Sequence, residues 1–282
     1  MTEYKIFTHL SYDWMIVSYF FLGGLAAGAY FFSVAANYWI KEFKSLAKTA
    51  AILTPIALAI GLAFLLLDLG QPFRSWRIFL HFNPTSAISY GIWFLNIFFI
   101  LSLVYAWFTS RGENEKAKKF AYLGLPFGLL VAIYTGVLLA QAPGKALWHS
   151  ALLPVLFLIG GVISGIALVM LVSSGAAEKA VSVKVGRLLV GLLLVELGLI
   201  LTELIILANG DAEAIMTVKV ILTGQYSFLF WIVEILLGAI IPIFILFKTE
   251  VSSRAQAVAA MLILVGIFAM RFIIVVGGQI VS

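Results

Sequence analysis

The chain has no cysteine and only three histidines in 282 residues. The first absence excludes disulfides, thiolate metal sites and iron–sulfur clusters held by this chain. The second weighs against haem. A b-type haem inside a membrane bundle normally takes two axial side chains, usually His, and His9, His81 and His149 all fall at or beyond the ends of apolar stretches. Charge is scarce too: 11% of the residues are Asp, Glu, Lys or Arg, against 63% hydrophobic ones, and the mean hydropathy is +1.12. No soluble domain hides that much apolar surface, so lipid must be the solvent. The net charge of +5 is then no nucleic-acid footprint, because surplus Lys and Arg in a membrane protein mark cytoplasmic loops. Internal repeats and low-complexity tracts are missing, and so is the alternating ten-residue pattern of an outer-membrane barrel. The start, MTEYKIFTHLSYD, has no basic n-region, and the apolar run behind it is too long for a signal peptide. It reads as the first span of the mature protein.

What is present is a series of long apolar runs. A helix needs about 20 apolar residues to cross the hydrocarbon core. Eight segments qualify, at roughly 14–38, 49–69, 88–109, 119–140, 151–173, 185–208, 228–247 and 255–280. Connections are short except 70–87 and 209–227. The expected architecture is all-α: one transmembrane domain over residues 1–282, a bundle of eight spans. Pro55, Pro126 and Pro154 read as lying near helix starts, with only Pro242 deep in a span. In the first span, Gly24 and Gly28 are four apart, a spacing that lets another helix approach closely.

Lys and Arg set the orientation. The loops after the odd-numbered spans hold Lys41, Lys44 and Lys48; Arg111, Lys116, Lys118 and Lys119; Lys179, Lys184 and Arg187; and Lys248 and Arg254, twelve in all. The opposite side holds five, Lys5, Arg74, Arg77, Lys145 and Lys219. The positive-inside rule then puts both termini and the 70–87 loop on the non-cytoplasmic side.

An ionisable group at mid-membrane costs about 2.5–3.5 kcal/mol on insertion scales, so each is a candidate functional group. Glu196, Glu203, Glu234 and Arg271 lie well inside spans, and Asp68 closes the second. At 1.5 Å rise per residue, Tyr19 lies about 8 Å below the outer surface and Tyr134 about 9 Å from its helix end. With this orientation Tyr19, Asp68, Tyr134, Glu203, Glu234 and Arg271 share the outer half, one from each of six spans. Glu196 and Glu203 are seven residues apart and face the same way. With Arg187 further toward the cytoplasm they suggest a polar ladder for proton transfer. Blander readings stand beside these. An Arg271–Glu pair could simply lock helices, Tyr19 and Tyr134 could be interfacial belt residues, and Arg74 and Arg77 could be solvated loop charges.

A quinone head group fits such a site. It needs hydrogen-bond partners for two carbonyls, a Tyr or carboxylate to exchange protons, and apolar walls. The expected pocket comprises Tyr19, Tyr134, Asp68, Glu234 and Arg271, with Asp68, Glu196, Glu203 and Arg187 moving protons. No metal site is expected, since no His and carboxylate cluster has ligand spacing. With no redox centre of its own, such a protein exchanges electrons with a partner docked outside. The loop residues Arg74, Trp76, Arg77, His81 and Asn83 are the expected docking surface.

The stretches FFLGGLAAG, LLLDLGQPFRSWRIFLHFNPTSAISYGIW, AIYTGVLLAQAPGKALW, VKVGRLLVGLLLVE and MRFIIVVGGQ carry a resemblance. The chain resembles the NrfD/PsrC family, the integral membrane subunits of polysulfide-reductase-type complexes, over nearly its whole length. The resemblance implies an eight-helix subunit, in a prokaryotic cytoplasmic (inner) membrane, that oxidises menaquinol or reduces menaquinone or another quinone. It implies a ferredoxin-like iron–sulfur subunit and a molybdopterin catalytic subunit as partners, with the quinone head beneath the former. Tyr134 matches the family's quinone-binding Tyr, Arg187 an Arg proposed for a proton path, and Asp68 an acidic position ending the second helix. Tyr19 stands where the polysulfide reductase has a quinone-contacting His, and Ile16 where it has an Asn. The leading expectation is a quinone-reactive membrane subunit of a respiratory oxidoreductase, with proton translocation open. The alternative is a secondary transporter or proton channel, which buried carboxylates would also suit.

Overall fold

The computed structural model describes residues 12–68, 87–141, 145, 147–175, 178–248 and 252–280. Eight helices among them are long and apolar enough to cross a membrane. Helix α1 runs Trp14–Val34, α2 Lys44–Asp68, α3 Ala87–Arg111, α4 Asn114–Ala140, α5 Leu153–Val172 and α6 Lys179–Ala208. A short α7 follows at Ala212–Leu222. Helix α8 is wound as a π-helix over Leu229–Ile240 and as an α-helix over Ile241–Phe247. Helix α9, Ser253–Phe272, passes into a wide π-turn at Ile273–Gly277.

Local chemistry explains the ends. The Asp13 carboxylate accepts from the Met15 N–H at 2.8 Å and caps α1, and Asp211 and Ser252 cap α7 and α9 in the same way. Gly112 (φ +75°) follows α3 and Gly175 (φ +92°) follows α5, left-handed positions where a side chain is strained. Helix α7 lies in what reads as a long connection. Its buried Ala214, Thr217 and Ile221 recur at helical spacing, over a segment too short to span. Helices α2 and α4 start earlier than hydropathy marks, because their first turns carry lysines that stay in water. Pro55 and Pro126 are therefore interior, a correction to their reading as helix-start residues; Pro154 does open α5. Pro242 stands where the π-wound stretch of α8 returns to an α-helix. A proline there has no N–H to donate, and its ring crowds the carbonyl one turn back.

The most buried span is α1, and it packs on α2, α4, α5 and α9. Its approach to α5 is backbone on backbone. A Cβ on Gly28 would overlap the Gly161 carbonyl, one on Gly165 would overlap Ala29 N, and one on Gly161 would lie 2.8 Å from Gly24 O. Gly238 and Gly266 bring α8 and α9 together in the same manner. Lipid tails are as apolar as Leu, so close packing of this kind drives association where the hydrophobic effect does not. The outward faces stay apolar, with Phe244 and Phe247 among the most exposed side chains. At the end where α1 finishes and α2 begins, Tyr30 Oη donates to Phe120 O at 2.8 Å, and Ser33 Oγ to Ala47 O at 2.7 Å.

Gly28→Leu is expected to cost about 3 kcal/mol through overpacking, seen as a lowered unfolding midpoint in detergent. Gly191→Leu, where nothing lies within 4 Å of the added Cβ, is expected to leave the midpoint in place.

Candidate functional site

One large cavity, about 440 Å³, opens in the α1–α4 half of the bundle, at the end where α1 begins and α2 finishes. Its polar lining is Tyr12, Tyr19, Asp68, Asn96 and Tyr134. Ile16, Leu62, Leu95 and Leu138 supply apolar wall from all four helices. Tyr19 is buried and the Tyr134 ring half-buried. Tyr134 is seated by α3: a Cβ on Gly91 would overlap its ring. Asp68, the last residue of α2, meets the carboxyl of Asp13 at the rim. Asn96 Nδ2 donates to Ile92 O at 2.8 Å, which turns its amide along α3.

The remaining buried charges lie elsewhere. Arg271 is fully buried. Its Nη2 donates to Phe157 O at 2.9 Å, and its guanidinium stacks 4.4 Å from the Phe157 ring. A Cβ on Gly24 would lie 2.5 Å from that Nη2, so glycine makes room for the guanidinium. Among the described residues no carboxylate lies within ion-pair distance of Arg271, and its Nε and Nη1 have no hydrogen-bond partner. Glu196 and Glu234 line a small cavity of about 10 Å³; Glu203 and Glu234 line a second of about 40 Å³. The two share Ile200, Glu234 and Met270. Glu203 Oε2 accepts from Ser150 Oγ at 2.5 Å, while Oε1 of both Glu196 and Glu203 is buried without a hydrogen-bond partner among the described residues.

The six polar groups expected in one outer cluster thus divide in two. Tyr19, Asp68 and Tyr134 share the cavity; Glu196, Glu203 and Glu234 line the two small cavities, and Arg271, which lines neither, is buried beside them against Phe157, the four making up a charged chamber among α5, α6, α8 and α9. Phe20, on the cavity wall, meets Phe157, and Phe157 carries Arg271 on its own ring, so this aromatic pair stands between the two sites. Arg187 is exposed and joins neither. Nine residues from Glu196, it lies half a turn round α6. Arg74, Trp76, Arg77, His81 and Asn83 lie outside the described residues. Two cavity residues escaped sequence reasoning. Asn96 had a readable signal, an amide in mid-span, while Tyr12 precedes the first span and is placed only by tertiary contacts.

The sequence pattern that defines the polysulphide reductase NrfD family matches residues 3–282. Among curated proteins, a selenate reductase subunit of Mesobacillus selenatarsenatis is 27% identical, over 95% of this chain and 74% of its own length. A component of the polysulfide reductase of Wolinella succinogenes is 26% identical, over 95% and 94% respectively. The Hdr-like menaquinol oxidoreductase integral membrane subunit of Archaeoglobus fulgidus is 28% identical, over 91% of this chain and 68% of its own length.

Ser150→Ala leaves the Glu203 carboxyl without its hydrogen-bond donor. The expected loss is about 1–3 kcal/mol of stability, read as thermal unfolding in detergent. Thr202→Ala on the exposed face of α6 is expected to stay within about 0.5 kcal/mol of wild type.

Proposed function

Because the chain belongs to the polysulphide reductase NrfD family, we propose that it is the quinone-reactive membrane subunit of a respiratory oxidoreductase complex. It is a multi-pass membrane protein of a prokaryote. The observation that carries the proposal is the cavity. At about 440 Å³ it falls in the range of small-molecule pockets, apolar with a few convergent polar groups. Three phenols, one amide and one carboxylate suit a head group with two carbonyls. A bound quinol supplies two electrons and two protons. Tyr134 and Tyr19 hold the head group by hydrogen bonds from their phenol oxygens. Asp68 exchanges protons at the rim, where its carboxyl reaches water. The walls from α1 to α4 exclude water from the ring. The electrons pass to or from an iron–sulfur subunit docked over the loop of Arg74, Trp76, Arg77, His81 and Asn83. A molybdopterin subunit beyond it sets the terminal substrate. Both termini and this docking face lie on the non-cytoplasmic side.

Tyr134→Phe removes one hydrogen bond and is expected to lower quinol-linked electron transfer about two- to tenfold with the complex still assembled. Gly91→Ala, which displaces the Tyr134 ring, is expected to lower it at least as far. Wild-type rates in both would contradict the proposal.

The charged chamber favours a second reading, a proton path. Glu196, Glu234 and Glu203 are joined by two cavities that share Glu234, and Ser150 continues the series into the loop before α5. Buried carboxylates inside a membrane bundle mark such paths. Glu234→Gln is expected to abolish turnover-driven proton uptake in liposomes while sparing quinol oxidation in detergent. Unchanged uptake would remove the chamber from the path.

A further inference from the structure

Tyr12 stands outside the helices, one residue before the cap of α1, yet its backbone is held at two points from the opposite end of the chain. Its N–H donates to Gln279 Oε1 at 3.0 Å, and its carbonyl accepts from Gln279 Nε2 at 2.8 Å. The same Nε2 donates to Val275 O at 2.9 Å. A side-chain amide carries both a donor and an acceptor on one planar head, so Gln is suited to this clamp in a way an ionised Glu is not. Two-point contact fixes the direction of the Tyr12 peptide as well as its position.

The ring is fixed as well. Tyr12 packs on Phe20 at 6.4 Å and on Trp148 at 5.8 Å between centroids. Trp148 Nε1 donates to Ile274 O at 2.8 Å, and Lys145 Nζ to Gln279 O at 3.1 Å. A Cβ on Gly278 would overlap the Trp148 indole, so a glycine next to Gln279 lets the indole in. The Trp148 and Lys145 anchors converge on residues 274–279, the stretch that follows α9. Burial raises the Tyr12 phenol above its ordinary value, so it is a neutral donor at physiological pH with or without that shift.

We propose that Tyr12 is a third head-group-contacting phenol of the cavity and that Gln279 is the positioning residue that sets it there. This rests on the quinone reading of the cavity. The geometry behind it is independent: a residue on the cavity wall, 267 positions from the side chain that holds it.

The test uses the purified complex and the quinone analogue heptyl-hydroxyquinoline N-oxide. Tyr12→Phe is expected to weaken binding about three- to tenfold, Gln279→Ala at least as much, and Gln279→Glu, which keeps only the acceptor, by an intermediate factor. In steady state the same changes raise KM for quinol more than they lower kcat. In a Tyr12→Ala background Gln279→Ala is expected to add nothing, because it acts through Tyr12. If Gln279→Ala fails to assemble, Gln279→Glu and Tyr12→Phe carry the comparison. Wild-type binding by these variants, beside a weakened Tyr134→Phe, would overturn the assignment of Tyr12 and Gln279 and leave the quinone reading intact. No binding by the wild type would overturn the quinone reading itself.

Discussion

The backbone of α1 touches the backbone of α5 along Gly24, Gly28, Gly161 and Gly165, and the rest of the bundle is arranged around that contact. In lipid no solvent pushes apolar helices together, so the distance at which two backbones can pack decides which helices pair. One α1 face then supplies Ile16, Tyr19 and Phe20 to the cavity. Another presents Gly24 to a buried guanidinium. The same glycine both permits the helix contact and leaves the space that Arg271 fills. A larger residue there would disturb both sites at once.

The chemistry is divided accordingly. The cavity holds neutral phenols and an amide, with its carboxylate at the rim, where charge is cheap. The chamber holds the arginine and glutamates that lie within the apolar span, where each unpaired charge is costly. A phenylalanine pair keeps them apart. Helix α9 and the chain that follows it nonetheless serve both: Arg271 lies beside the glutamates, and eight residues later, past the end of α9, Gln279 holds the cavity wall. Between them the backbone is wound as a wide π-turn, a form that recurs at functional positions because it re-aims side chains and carbonyls. A movement of this helix would be felt on either side of the aromatic wall.

The sequence displays depth well and direction poorly. Hydropathy marks all eight spans, because crossing lipid demands about 20 apolar residues whatever the fold. Depth along each span is legible too, since rise per residue is constant, and Tyr19, Asp68 and Tyr134 are found at one level. Azimuth depends on how eight helices pack, and that is a tertiary property. Six polar groups at one depth therefore look like one cluster until the Phe20–Phe157 wall is seen to divide them. Arg187 illustrates the same limit: it lies on the ladder's helix but on its opposite face. The Tyr12–Gln279 clamp joins the two ends of the chain, and no local pattern announces it. The helix starts at Lys44 and Asn114 are missed for another reason, because hydropathy stops counting where lysines begin and helices do not.

Photolabelling the purified complex with an azidoquinone, followed by peptide mapping, distinguishes a quinone bound among α1 to α4 from one in the charged chamber. Label is expected on peptides holding Ile16 and Tyr19, Leu62 to Asp68, Ile88 to Asn96, and Tyr134 to Leu138, competed away by excess quinone. Label confined to the peptides of Glu196, Glu234 and Arg271 would contradict a site among α1 to α4 and place the quinone on the other side of the Phe20–Phe157 wall.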